Sequence, residues 1–277
     1  MDLFGRKYNQ RKQNLNNSCK KNLWSELVNS RFFGTVLCVA IVLAVWQALS
    51  LFVGAAYILP TPLDTLLRAT QLFATLDFWR AVAFSILRVT LGFLAGVIFG
   101  IALAVLAVAF PLIHNVISPL VRVMRTVPVV CFILLMLLWI NSSVLSTCVS
   151  ALMVFPVVWT GTVDALNNID PWVVELADVC GMSAPKRLFK LYLPAIAPQL
   201  LSILVVAIGL AWKSGITAEV LALPFAGMGT SVYQAKIALE AADIFVWAAV
   251  VAAISWGMEK LLKILVSRKT PSKMTAK

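Results

Sequence analysis

Charge is what this chain lacks most. Asp, Glu, Lys and Arg make up only 13% of its 277 residues, while hydrophobic residues make up 61%; an average soluble domain carries roughly 25% charged residues. With a mean hydropathy of +0.93, the composition excludes an ordinary water-soluble globule and implies an integral membrane protein. Histidine is almost missing as well. His114 is the only one, it has no second ligand type near it, and it reads as structural or solvated; no metal site is expected. The five cysteines, Cys19, Cys38, Cys131, Cys148 and Cys180, are odd in number, scattered mostly through apolar runs, and form no C-x-x-C pair. Neither a disulfide framework nor a zinc centre follows. A phosphate-binding loop is also missing: its nearest imitation, Gly209-Leu210-Ala211-Trp212-Lys213-Ser214, lacks the second glycine and lies inside an apolar run. No nucleophile, base and orienting group form a hydrolytic set. No enzymatic activity and no cofactor on this chain are therefore expected.

What is present is a series of long apolar runs. They are continuous, whereas a transmembrane β-barrel alternates apolar and polar residues over segments of roughly 10. At about 20 residues per crossing, the length has room for about five to seven helical spans. The fold class expected is an all-α integral membrane bundle of six transmembrane helices, in one domain, at about 32–53, 81–110, 119–140, 144–163, 195–216 and 244–266. Basic tails at 1–31 and 267–277 flank this domain of 32–266. The first tail is far too long before its apolar run to be a secretory signal, and Lys21–Asn29 within it reads either as a short interfacial helix or as part of a disordered tail.

Proline and glycine punctuate the runs. Leu59-Pro60-Thr61-Pro62 predicts a loop, followed by an amphipathic surface helix over 63–76 with Thr61 or Asp64 near its start. The second run is longer than a crossing requires, so it is tilted or extends past the bilayer. Gly92, Gly96 and Gly100 share one face of it, which suits close approach of another helix; a gating hinge is the alternative. Pro128 falls near one end of the third span, and Pro156 falls inside the fourth, as a packed kink or as a break lining a pathway.

The cations set the topology. Seven lie in the N-terminal tail, and Arg122, Arg125, Lys186, Arg187, Lys190, Lys260, Lys263 and four in the C-terminal tail bring one side of the membrane to 18 of the 23. Arg68, Arg80 and Lys236 fall on the other. Because Lys and Arg accumulate on the cytoplasmic side, both termini are expected in the cytoplasm. The net charge of +11 is thereby explained by membrane orientation, with lipid as the partner and no nucleic acid.

This places a polar island, Asp170–Pro194, in the cytoplasm between the fourth and fifth spans. Asp170 is a suitable N-cap, and Pro171 fits the first helical position. Gly181 suits a left-handed cap just past a helix of 171–180. Ser183 can cap a second short helix carrying Lys186, Arg187 and Lys190 and stopped by Pro194. On these signals alone the island is either a docking surface or an ordinary interfacial loop.

Its residues resemble a known pattern. Glu175-Leu176-Ala177, three residues, Gly181, nine residues, then Leu191-Tyr192-Leu193-Pro194 is similar to the E-A-A-x3-G-x9-I-x-L-P signature of membrane permease subunits of bacterial binding-protein-dependent ABC importers. Leu176 and Leu191 depart conservatively from it. Ser85-Ile86-Leu87-Arg88-Val89-Thr90-Leu91-Gly92-Phe93, the Pro128 region, Gly209-Leu210-Ala211-Trp212-Lys213 and Ala218-Glu219-Val220-Leu221 resemble the nitrate, sulfonate and taurine branch. The resemblance covers most of residues 32–266. It implies a multi-pass permease of the bacterial plasma membrane that dimerises with a second copy of itself, receives a small solute from an extracytoplasmic binding protein, and is driven by an ABC ATPase subunit dimer that consumes the ATP. Glu175, Ala177, Gly181, Leu193 and Pro194 would then belong to a coupling helix seated on the ATPase.

Ionisable residues inside spans are the second group of candidates. Lys213 falls roughly 26 Å along the fifth span, near the outer interface, and Arg88 enters the second span from the same side. Two cations there suit an anionic substrate such as a sulfonate, taurine or nitrate; snorkelling, or an ion pair with Glu219, is the structural alternative. A secondary transporter driven by an ion gradient should show repeated halves with broken helices, and no convincing repeat is present on either side of Asn141.

Overall fold

A computed structural model of the chain describes residues 34–267, and no strand occurs among them. The N-terminal tail, with the interfacial helix considered at Lys21–Asn29, and residues 268–277 lie outside the described residues. The chain divides into two compact units at Thr65 and Leu66.

In the first unit, α1 (Gly34–Val53) is predominantly apolar and uncharged and ends on Gly54 at φ +63°, a left-handed cap that glycine adopts without steric cost. The turn after it is pinned from within the unit: Ser50 Oγ donates to Leu59 O at 2.9 Å and Trp46 Nε1 to Pro60 O at 3.0 Å. Thr61 and Asp64 then form a reciprocal cap. Thr61 Oγ1 accepts from the Asp64 amide at 3.0 Å, and Asp64 Oδ2 accepts from the Thr61 amide at 3.4 Å. With Pro62 at the first position, these bonds start α2 (Pro62–Phe73).

The second unit takes in the rest of α2 and then α3 (Leu76–Ala109), α4 (Pro111–Thr126), α5 (Val129–Met136), α6 (Ser142–Asn167), α7 (Pro171–Val179), α8 (Ala184–Arg187), a π-helical turn (Leu188–Tyr192), α9 (Leu193–Ala222), α10 (Met228–Ile237) and α11 (Ala241–Ser267). Among the described residues, five helices, α1, α3, α6, α9 with the π turn before it, and α11, are long and apolar enough to cross a membrane; counting the bent pair α4–α5 as one span makes six.

Helix α6 packs against both α3 and α9. The glycine row of α3 is the face it uses. A Cβ at Gly96 would lie 2.7 Å from Val154 Cβ and 2.8 Å from Ala151 O, and one at Gly100 would lie 2.9 Å from Val158 Cβ, so the row serves close packing. On the α9 side, Ser146 and Ser150 donate to Gly215 O at 3.0 Å and Ala211 O at 3.1 Å. Val89, Phe93, Val154, Val158, Ala211 and Trp212 form the core between these helices, and Trp212 Nε1 reaches Val251 O of α11 at 3.0 Å. Pro156 is buried within an unbroken α6.

Three local features differ from the expectation. The segment 119–140, expected as one span, is two helices meeting at 102°. Pro128 is the cause: it pushes Val127 into extended geometry, φ −78° and ψ 131°, and offers no amide hydrogen to continue the ladder. Pro194 does not stop a separate second helix. The chain instead continues through the π turn, where the Leu193 amide bonds Leu188 O, a widening that relieves the clash a proline ring makes with the carbonyl four residues before it. The segment 221–243, expected as a connection between the fifth and sixth spans, contains a helix of its own, α10.

The glycine face yields a test. Gly96→Leu should destabilise the protein by roughly 1–3 kcal/mol through overpacking. Gly257→Ala, in α11 with nothing within 4 Å of the added atom, should not destabilise it. Thermal unfolding in detergent measures both.

Candidate functional site

The island is built by short-range rules. Asp170 Oδ1 accepts the Trp172 amide at 3.0 Å, which satisfies one of the orphan donors at the start of α7. After α7, Gly181 sits at φ +58° and the Met182 amide returns to Ala177 O at 3.1 Å, the closure that defines a left-handed helix cap. A Cβ on Gly181 would meet nothing within 4 Å. The constraint there is backbone conformation alone.

Helix α7 has two unlike faces. Trp172, Glu175 and Val179 are exposed, and their spacing of three and four residues puts them on one face. Ala177 is fully buried. Leu193 is half-buried against Ala165, Leu166 and Ile196, and Pro194 is exposed near the start of α9. Beside the island lies an apolar cavity of about 770 Å³, lined by Val105 and Val108 of α3, Leu166 of α6, Met182, Leu188 and Phe189.

The intramembrane candidates do not form one group. Arg88 and Glu219 meet: Arg88 Nη1 lies 3.3 Å from Glu219 Oε1. Glu219 is completely buried and its other oxygen accepts Ser85 Oγ at 2.6 Å and the Gly229 amide at 3.2 Å. Arg88 also donates to Ala226 O and Phe225 O, each at 2.9 Å, and Ser85 Oγ accepts the Met228 amide at 2.9 Å. A Cβ on Gly227 would stand 2.9 Å from Glu219 Oε2, so glycine is what lets the backbone approach the carboxylate. Lys213, six residues earlier on α9, is exposed and forms no ion pair with Glu219. His114 stacks on Trp159 at 5.7 Å between ring centres.

A second ionic cluster joins α2 to α11. Arg68 pairs with Asp243 at 2.5 Å and Glu240 at 3.1 Å. The hydrogen bond to Asp243 holds its guanidinium above its ordinary pKa. Sequence reasoning missed the Asp243 and Glu240 partnership, as well as the roles of Ser85, Gly227 and Gly229. One signal was available: Ser85 stands one turn before Arg88, on the same face of α3. Among the described residues, no group of three or more His, Cys, Asp or Glu is placed to hold a metal ion.

Known proteins are similar to this chain in sequence and in fold. The chain is 28% identical to the putative aliphatic sulfonates transport permease protein SsuC of Bacillus subtilis over 203 residues, 73% of each chain. It is 26% identical to the taurine transport system permease protein TauC of Escherichia coli over 239 residues, 84% of this chain and 86% of the relative. Its fold matches the crystal structure of a bacterial ABC transporter involved in the import of the acidic polysaccharide alginate, with a TM-score of 0.62 at 17% identity, covering 90% of this chain and 100% of the other. The family model for the inner membrane component of binding-protein-dependent transport systems matches residues 96–266. That match takes in Gly96 and Gly100, the whole island and Glu219 with the segment that follows it, and the chain belongs to this family of transport components.

Proposed function

We propose that the chain is the permease subunit of an ATP-driven ABC importer for a small anionic or zwitterionic solute, of the sulfonate, taurine or nitrate kind. The observation that carries this reading is the exposed face of α7. A tryptophan, a valine and a carboxylate stand together on a capped helix outside the apolar spans, at the position of the permease signature. An exposed apolar patch rimmed by charge suits a protein partner.

On this reading the island is cytoplasmic, as are both termini, and α7 is the coupling helix seated in a groove of the ATPase. Glu175 accepts charge-assisted hydrogen bonds from a partner Arg or Lys, Ala177 anchors the helix from below, and Gly181 turns the chain back toward α9. Leu193 and Pro194 stand where the island joins the fifth span. ATP is bound and hydrolysed on the partner chains, whose closure favours one arrangement of the permease over another. Two copies of this chain enclose the pathway in the bacterial plasma membrane, and an extracytoplasmic binding protein delivers the solute. Lys213 supplies positive charge near the outer mouth.

Glu175→Lys and Gly181→Asp should each lower uptake by more than about 10-fold, equivalent to about 1.4 kcal/mol of lost coupling, while the amount of permease in the membrane stays unchanged. Normal uptake by both variants would sink the coupling assignment. Lys213→Met should raise the uptake KM by about 10-fold with a smaller change in maximal rate, the pattern of lost substrate attraction; an unchanged KM would leave Lys213 a snorkelling residue.

A further inference from the structure

The segment joining α9 to α10 is held in an unusual way. It has no regular secondary structure between Leu223 and Gly227, and its backbone is left-handed at Leu223 and Ala226, φ 50° and 49°, yet it buries Pro224 and Met228 completely. Left-handed geometry at residues that carry side chains persists only where the surroundings over-determine it. Here the surroundings are three side chains from two spans. Arg88 of α3 holds the carbonyls of Phe225 and Ala226, Ser85 of α3 accepts the Met228 amide, and Glu219 of α9 accepts the Gly229 amide together with hydrogens from Ser85 and Arg88.

We propose that Ser85, Arg88 and Glu219 form a permanent latch that joins the outer ends of α3, α9 and α10 into one block. When the pathway changes between its open states, these helices move together, and segment 223–229 does not open on its own. Separating α3 from the segment would strip a fully buried carboxylate and its guanidinium partner at the same moment. Losing one partner of such a pair makes the broken state roughly 100-fold or more rarer than the closed one. Arg88 also cannot be replaced by a point charge, because it reaches one carboxylate and two carbonyls through a planar fork. Arg88 and Glu219 are thus positioning residues rather than substrate ligands, although both are ionisable and lie within spans. The latch rests on the proposed function only in taking ATP as the source of the motion.

The test is a distance. Spin labels are placed at Phe99 of α3 and Ile237 of α10, both exposed, in the transporter reconstituted in lipid nanodiscs, and pulsed electron–electron resonance is recorded without nucleotide and with ATP plus orthovanadate. The same narrow distribution is expected in both states. Ser85→Ala, Arg88→Lys and Glu219→Gln should each broaden it, and should lower the maximal uptake rate more than they alter KM. A distance that changes with nucleotide in the otherwise unsubstituted protein overturns the latch, and so does a distribution that stays narrow in all three variants. The variant comparison needs no nucleotide. A permease that fails to stimulate any ATPase therefore counts against the proposed function and leaves the latch to be decided by the broadening.

Discussion

The second unit depends on how closely α6 lies to α3 on one side and to α9 on the other. In lipid, apolar side chains gain little by leaving one hydrocarbon environment for another, so spans are held by close van der Waals contact and by interhelical hydrogen bonds. The chain uses one device on each side of α6. Gly92, Gly96 and Gly100 remove the side chains that would hold α3 away, and Ser146 and Ser150 place hydroxyls on backbone carbonyls of α9. With this spacing set, α3 has a second use. Its 34 residues measure about 51 Å, well beyond the roughly 30 Å of a hydrocarbon core, so one helix lines the cavity beside the island at one end and carries Ser85 and Arg88 toward the other.

The spans were legible because hydropathy is a local sum: a run of about 20 apolar residues reads the same whatever it packs against. The glycine face was legible as a spacing, though only the built structure places it against Val154 and Val158. The interruptions were harder. Pro128 was visible, but whether a proline ends a helix, kinks it or sharply redirects it depends on what receives the next segment. At Pro128 the chain turns by 102°, at Pro156 α6 runs on unbroken, and at Pro194 a π turn absorbs the ring. The same residue type has three outcomes, each set by packing that no local window contains.

The two candidate sites divide along the same line. The Asp170 cap and the left-handed turn at Gly181 follow from capping rules within about a dozen residues, and both appear in the structure at the position the sequence indicates. The Glu219 cluster joins residues that lie more than 130 positions apart in the chain. Arg88 and Glu219 could be singled out because charge inside a span is costly and needs a reason. Their pairing, the choice of Arg88 over Lys213 as the partner of Glu219, and the part played by two backbone carbonyls depend on the register of α3 against α9.

That register connects the two sites. Helix α9 begins at Leu193, directly after the π turn near the end of the island, and carries Glu219 one turn from its far end. Because Pro194 is absorbed within a continuous helix, a displacement at Leu193 is not lost at a flexible joint before it reaches the span. Ala177 under the island and Leu193 against Ala165, Leu166 and Ile196 provide firm seating at one end, and the buried carboxylate provides it at the other. A helix gripped at both ends transmits a shift more faithfully than one gripped at a single end. On the proposed function, a motor acting on the island would therefore move the far end of α9 through the helix itself, with no separate relay of side chains between the sites.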